Sequence, residues 1–213
     1  MIDLYIFGTK NNSEMAKFYF ERDCPQYKIK GFVEDAPQSD VAYNLPVFSS
    51  SKFINTHSPI NCLLSAPLTS SSGRKRVFEK FKSKGYSFAN YISPKANIWS
   101  SEAIGENCFI QEDNNIQFAT HIGDNCLFWA GNHIGHHGNI KKHNTFTSHV
   151  VLSGGCEVGE LCYFGVNSTI ADGVKISGSA FIGMGALVTK NIEEEGLYVG
   201  APARRIKSSK EYL

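Results

Sequence analysis

Counting from Ile92, every sixth residue is bulky and apolar: Ile92, Ile98, Ile104, Ile110, Ile116, Ile122, Phe128, Ile134, Ile140, Phe146, Leu152, Val158, Phe164, Ile170, Ile176, Ile182 and Val188. No slip of phase interrupts the run. Roughly one residue in three is of this kind in an average chain, so chance does not produce it. Six is neither the helical period nor the two-residue alternation of a half-buried strand. The position four residues after the aliphatic is restricted too. It runs through Cys108, Asn114, Thr120, Cys126, Asn132, Gly138, Asn144, Val150, Cys156, Cys162, Ser168, Val174, Ala180 and Ala186, all small or compact. The residue directly after the aliphatic is often glycine, as at Gly105, Gly123, Gly135, Gly159, Gly165 and Gly183.

A six-residue period is the signature of a hexapeptide β-helix, in which each hexad is one short strand and a corner. The aliphatic side chain fills a prism and the compact one sits beside it. The glycines are expected to supply unusual corner dihedrals. This predicts a parallel β-helix over 91–191, followed by a tail over 192–213.

Residues 1–90 follow a different pattern. IDLYIFG is an apolar run ending in glycine and reads as a strand. SEMAKFYFER has the helical spacing of Met15, Phe18 and Tyr19, with Ser13 as its expected N-cap. KIKGFVED and INCLLSA read as two further strands, and SSGRKRVFEKFKSKG as a helix ending at Gly85. The order predicts a βαβ, Rossmann-like α/β subdomain with a short parallel sheet. Such sheets bind ligands at the carboxyl ends of their strands. Here those ends carry Gly8, Thr9, Lys10 and Asn11, then Glu34 and Asp35, then Ala66 and Pro67. The full G-x-G-x-x-G fingerprint is missing, so no dinucleotide cofactor is expected. A docking domain without a ligand is the other reading of this half.

Twenty-one basic and twenty acidic residues leave a net charge of +1. That balance gives no bulk attraction to nucleic acid or to a membrane surface. No apolar run approaches the roughly 18–20 residues of a membrane span, and MIDLYIFGTK reads as a strand rather than a targeting segment. The expectation is a cytoplasmic protein with reduced thiols. Four of the six cysteines fall in the compact phase of the hexads, where they read as small buried hydrophobes.

Five histidines cluster in GNHIGHHGNIKKHNTFTSHVV: His133, His136, His137, His143 and His149. Known left-handed β-helices complete one coil in three hexads, so residues n and n+18 stack. The stacking partners here are Val151, Gly154, Gly155, Leu161 and Asn167, none of them histidine. His137, His143 and His149 share one phase and so lie around different sides of the prism. A zinc ion needs three or four ligands at one point, so no metal site is expected. What remains is a single histidine acting as general base at a seam between subunits, its ordinary pKa lying near neutrality. A prism with three equivalent faces suits a homotrimer with three clefts.

These segments resemble the left-handed β-helix acyltransferases that modify sugars. They are most similar to the sialic acid O-acetyltransferase-like group, which includes nucleotide-sugar N-acetyltransferases. GNHIGHH followed by SHVVLSGGCEVGE resembles the stretch holding that family's catalytic histidine. LCYFGVNSTIADGVKI with FIGMGALVTKNI resembles its late coils, which hold the pantetheine arm of acetyl-CoA, and LYVGAPARRI its tail near the CoA adenine and phosphates. The resemblance implies a left-handed β-helix acyltransferase domain after a nucleotide-sugar-binding α/β domain. It implies acetyl-CoA as co-substrate and a homotrimer, with no metal. Aligned backward from LSGG, it implies His136 as the base, with His133 and His149 in reserve. It implies Gly165, Gly183, Gly185, Pro202, Arg204 and Arg205, with Lys207, around the CoA. Gly8, Thr9, Lys10, Glu34 and Asp35 fall where relatives hold the nucleotide sugar, although GTKNNS is poorer in glycine than the family's loop. In many relatives an acidic residue follows the base and orients it; here His137 follows. The implied acceptor is the amino group of a nucleotide-linked 4-amino-4,6-dideoxy sugar, used in surface glycan (O-antigen) biosynthesis. The alternatives are a sugar O-acetyltransferase, a zinc β-helix enzyme of the carbonic anhydrase type, and a non-catalytic sugar-nucleotide-binding scaffold.

Overall fold

The computed structural model describes residues 1–208, so the last five residues of the expected CoA-side tail lie outside the described residues. From Tyr91 onward the chain forms a left-handed parallel β-helix. Two-residue strands recur every six residues, and residue n pairs with residue n+18: Asn115 with His133, His133 with Val151, Val151 with Thr169. Three sheets result. Face 1 stacks Tyr91–Ile92, Phe109–Ile110, Leu127–Phe128, Thr145–Phe146, Tyr163–Phe164 and Ala180–Ile182. Face 2 stacks Asn97–Ile98, Asn115–Ile116, His133–Ile134, Val151–Leu152, Thr169–Ile170 and Leu187–Val188. Face 3 stacks His121–Ile122, Asn139–Ile140, Glu157–Val158 and Lys175–Ile176, with single bridges at Ile104 and Ile192.

The every-sixth aliphatics fill the prism. From Ile110 to Val188 each is at most 3 % exposed, while the first three are only partly covered because few coils lie below them. Phe128, Phe146 and Phe164 stack at centroid separations of 4.6 and 4.3 Å. The compact slot is buried throughout. Where it holds asparagine, the amides form a ladder: Asn132 Nδ2 donates to Asn114 Oδ1 (2.9 Å), and Asn132 Oδ1 accepts from the Val150 N–H (2.8 Å). All six cysteines are free and buried.

The corner glycines are not there for their dihedrals, contrary to expectation. Positive φ falls two residues later, at fourteen successive positions: Asn107, Asp113, Ala119, Asn125, Gly131, His137, His143, His149, Gly155, Leu161, Asn167, Gly173, Ser179 and Gly185. Glycine directly after the aliphatic answers a spacing constraint instead. A Cβ on Gly135 would lie 2.6 Å from the Gly154 nitrogen, and one on Gly165 would lie 2.5 Å from the Met184 nitrogen. The left-handed slot accepts Asn, Asp and His more readily than other non-glycine residues. Three of the five clustered histidines occupy it.

The α/β layer places β1 (Ile2–Phe7) between β2 (Tyr27–Glu34) and β5 (Cys62–Ser65). β3 (Val41–Ala42) and β4 (Leu45–Ser49) extend it beyond β2, and β6 (Ser87–Phe88) extends it beyond β5. All neighbours are parallel except β3 against β4. The helices are α1 (Asn11–Asp23), α2 (Ser50–Thr56) and α3 (Ser71–Lys82). The short elements β3, β4, α2 and β6 were not foreseen, because two to seven residues leave too little periodicity to read. α1 also starts earlier than expected. Lys10 is its N-cap, and Ser13 lies inside the helix, its buried hydroxyl donating to the Phe7 carbonyl at 3.1 Å.

The two halves share one core. Outward-facing Tyr91, Phe109 and Leu127 of face 1 pack against Leu4, Phe20 and Phe32 of the α/β layer. Tyr91 also donates to Asp23 at the end of α1 (2.6 Å). A second contact is polar. Arg74 of α3 is fully buried, and its guanidinium donates to the carbonyls of Asn125 (3.0 Å), His143 (3.1 Å), Asn144 (2.9 Å) and Leu68, and to the Thr145 hydroxyl (2.9 Å). Burial without a carboxylate pulls its pKa down to about 10.

His143 belongs to this contact. The Ala66 N–H donates to Asn107 Oδ1, Asn107 Nδ2 donates to Asn125 Oδ1, and Asn125 Nδ2 meets His143 Nδ1 at 2.7 Å. Burial, and then the positive charges of Lys75, Arg74 and Lys142, depress the His143 pKa to about 4. A histidine depressed in the folded state takes up a proton more readily when unfolded, so stability falls as pH drops from about 6.5 toward 4. His143→Asn keeps a side chain suited to positive φ and removes the titration. Chemical denaturation at pH 7 and pH 4.5 should show a smaller acid-induced loss of stability in His143→Asn than in the wild type.

Candidate active site

The candidate residues fall in two regions, a cleft in the α/β layer and the edges of the prism. The first lies at the carboxyl ends of β1, β2 and β5, where the strand order changes direction. It is a cleft of about 960 Å³ lined by Gly8, Thr9, Lys10, Asn12, Glu34, Asp35, Tyr43, Leu68, Thr69, Ser70 and Arg76, among others. All five residues named from the sequence lie in it. Gly8 has φ +94, and a Cβ there would lie 2.8 Å from the Ser13 hydroxyl, so glycine is required where β1 turns into α1. Thr9 donates to Glu34 Oε1 at 2.6 Å, and Tyr43 donates to the Thr9 carbonyl at 3.0 Å. Asn12 bonds Thr69, joining two walls. Asp35 is already engaged: it accepts from Lys80 (2.6 Å) and Ser50 (2.7 Å). Those partners hold its carboxyl below the usual range against the opposing pull of burial. Lys10 and Arg76 give the cleft exposed positive charge. Tyr43, Leu68–Ser70 and Arg76 were not read from the sequence. Leu68–Ser70 and Arg76 follow the carboxyl end of β5, where a strand-end signal exists, whereas Tyr43 sits in the turn between β3 and β4, which no periodicity marks.

The second region is the histidine cluster, which the coil distributes over the prism. His136 and His137 occupy the edge between faces 2 and 3. His149 lies on the edge between faces 1 and 2, and His143 is buried at the edge between faces 3 and 1. His133 is half-buried on face 2 itself. His136 is exposed, and its ring lies over Gly154 of the next coil, where a Cβ would come within 2.6 Å of Cε1 and 2.8 Å of Nε2. Its Nδ1 is 3.1 Å from His137 Nδ1. Phe118 stands one coil below, its ring edge-on to His137 at 5.7 Å and to Trp99 at 5.3 Å. Phe118 is exposed. His149 has a similar seat: a Cβ on Gly131 would lie 2.6 Å from its ring.

Gly165, Gly183 and Gly185 share the edge of His149 rather than that of His136. Coil stacking accounts for the first two, since a Cβ on Gly183 would lie 2.8 Å from the Val199 side chain. Gly185 is a left-handed corner opening onto empty space. The chain then forms a hairpin of Gly196–Val199 and Arg204–Lys207, with Pro202 exposed in the turn. Arg204 is exposed. Arg205 donates to the Glu195 carbonyl at 2.8 Å. Within one chain, then, His136 is separated from the glycine edge by the width of face 2.

No family model matches the sequence. Solved structures share the fold over nearly the whole chain. The acetyltransferase domain of PglB from Neisseria gonorrhoeae FA1090 is 17 % identical, with a TM-score of 0.86 over 97 % of this chain and 100 % of its own. A histidine-to-asparagine variant of perosamine N-acetyltransferase from Caulobacter crescentus, in complex with CoA and GDP-perosamine, is 21 % identical, with a TM-score of 0.87 over 97 % of both chains. WeeI from Acinetobacter baumannii AYE is 19 % identical, with a TM-score of 0.76 over 97 % of this chain and 100 % of its own. The likeness spans both halves, so the α/β layer and the β-helix occur together in all three. Among the described residues, no helix is long and apolar enough to cross a membrane.

The seat of His136 depends on the missing side chain at position 154. Gly154→Ala should leave the coil folded, because position 154 does not have a left-handed φ, and should displace the imidazole. The His136 ring resonances should shift in NMR spectra while those of buried His143 stay in place.

Proposed function

We propose that this chain is an acetyl-CoA-dependent acetyltransferase acting on the amino group of a nucleotide-linked amino-dideoxy sugar, a 4-amino-4,6-dideoxy hexose, in surface glycan biosynthesis. The observation that carries this reading is the pairing, within one fold, of a cleft at the end of a parallel sheet that offers both cations and carboxylates with an exposed histidine on a β-helix edge. The same pairing of layers occurs in a protein named as an acetyltransferase domain and in one named as a perosamine N-acetyltransferase.

In this reading the cleft holds the nucleotide. Lys10 and Arg76 offer charge to its phosphates, and Glu34 offers an acceptor to its base or ribose. The protein works as a homotrimer. Because His136 and the Gly165–Gly183–Gly185 edge lie on opposite sides of face 2, neighbouring copies bring the base of one chain to the CoA-side edge of the next. Arg204 and Arg205 suit the CoA phosphates. The sugar amine attacks the thioester carbonyl, and His136 takes the proton that the nitrogen loses. A corner backbone N–H steadies the oxyanion. As the tetrahedral intermediate collapses, the C–S bond breaks and the proton passes to the departing thiolate, so the reaction takes up and releases no net proton.

A thiol-release assay with acetyl-CoA and UDP-, dTDP- and GDP-linked 4-amino-4,6-dideoxy sugars tests the activity; turnover is expected with one nucleotide series, and none with any of them refutes it. His136→Asn should keep the assembly and CoA binding while kcat falls by at least about a hundredfold. Normal turnover in that variant, with loss in His133 or His149 variants, would move the base elsewhere.

A further inference from the structure

The side chain that meets the His136 ring at hydrogen-bond distance is not an acid but another imidazole. His136 Nδ1 and His137 Nδ1 are 3.1 Å apart. The position of His137 is fixed by the coil below. It takes the left-handed corner with φ +55, its N–H donates to the Phe118 carbonyl at 2.9 Å, and its ring meets the edge of Phe118. Phe118 in turn leans on Trp99, whose Nε1 donates to the Thr120 carbonyl at 2.9 Å.

Two ring nitrogens at this separation share one proton: one must donate and the other must accept. If His137 donates, His136 accepts at Nδ1, carries its own proton on Nε2, and has no lone pair left for a substrate. If His136 donates, its Nε2 is free. Only the second arrangement survives uptake of a proton, because an imidazolium is protonated on both nitrogens and its Nδ1–H has to find an acceptor.

Resting on the reading of His136 as the base, we propose that His137 is a positioning residue. Its Nδ1 lone pair accepts from His136 Nδ1–H and holds His136 in the tautomer whose Nε2 is basic. The hydrogen bond becomes charge-assisted, and so stronger, as His136 takes the proton. A neutral imidazole thus does the work that needs only a well-placed lone pair.

The test uses the full-length protein with nitrogen-15-labelled histidine, together with the thiol-release assay using acetyl-CoA and the 4-amino-4,6-dideoxy nucleotide sugar that the panel identifies. In the wild type, His136 should be protonated on Nδ1 and bare on Nε2. His137→Gly keeps a residue at ease with positive φ and deletes the acceptor. There His136 should shift toward the Nε2–H tautomer, and kcat should fall by at least about tenfold with KM little changed. His137→Asp puts an acceptor-only oxygen where Nδ1 stood, in another residue that tolerates the left-handed corner, and should restore most of the rate and the Nδ1–H tautomer. A wild-type His136 protonated on Nε2 overturns the proposal even if the variants fold poorly. Loss of turnover in His136→Asn with none in His137→Gly overturns the positioning role alone. Normal turnover in His136→Asn overturns the base and its positioning partner together.

Discussion

One residue in every six must turn the chain through a positive φ without pushing apart the coils above and below it. The rest of the structure depends on that requirement being met fourteen times in succession. A left-handed backbone costs a non-glycine residue roughly 1–2 kcal/mol, less for Asn, Asp and His, whose short polar side chains bond locally. The chain offsets the cost with hydrogen bonds at the corners. The N–H of His137 bonds the Phe118 carbonyl and that of Gly155 bonds the His136 carbonyl, repeating upward at each edge. The corners therefore set the pitch, and the pitch brings the Ile, Leu, Val and Phe side chains into contact inside.

The same requirement explains why histidines crowd this part of the chain. His137, His143 and His149 are turn residues first. Their separate environments then give them different chemistry: His143 is buried and neutral under α3, His149 is exposed over Gly131, and His137 is held against His136. His136 belongs to a different phase. It is the one member of the cluster lying over a glycine of the coil above while also touching a second imidazole.

Much of the β-helix was legible because a six-residue period leaves a strong trace in the inward positions. The docking of the α/β layer left a fainter one. The residue before each aliphatic faces outward, and on face 1 it reads Tyr91, Phe109, Leu127, Thr145, Tyr163 and Phe181, against Asn97, Asn115 and His133 on face 2. An eighteen-residue period of outward residues, four of the six aromatic, marks a covered face, and the first four positions are buried beneath the N-terminal layer. The cleft was legible at its first two walls, because residues at strand ends are fixed by the strands themselves. Its third wall, Leu68–Ser70, follows a proline and is anchored by Arg74 to carbonyls some fifty to seventy residues away, a tie that no local pattern announces. The contact between His136 and His137 was out of reach for a related reason: whether adjacent side chains meet depends on the left-handed turn between them.

The stacking of residue n on residue n+18 also governs how such a chain can change length. Loss or gain of one hexad would leave every later aliphatic inside the prism, so the fold would survive, but each outward residue beyond the change would move one face round. The outward strip beneath the α/β layer would then be broken, and every edge histidine beyond the change would move to the next edge. Only a whole coil can be added or removed with both the interior and the exterior pattern intact. Descendants of this chain should therefore differ in the height of the prism by full storeys, while the order of its walls is inherited unchanged.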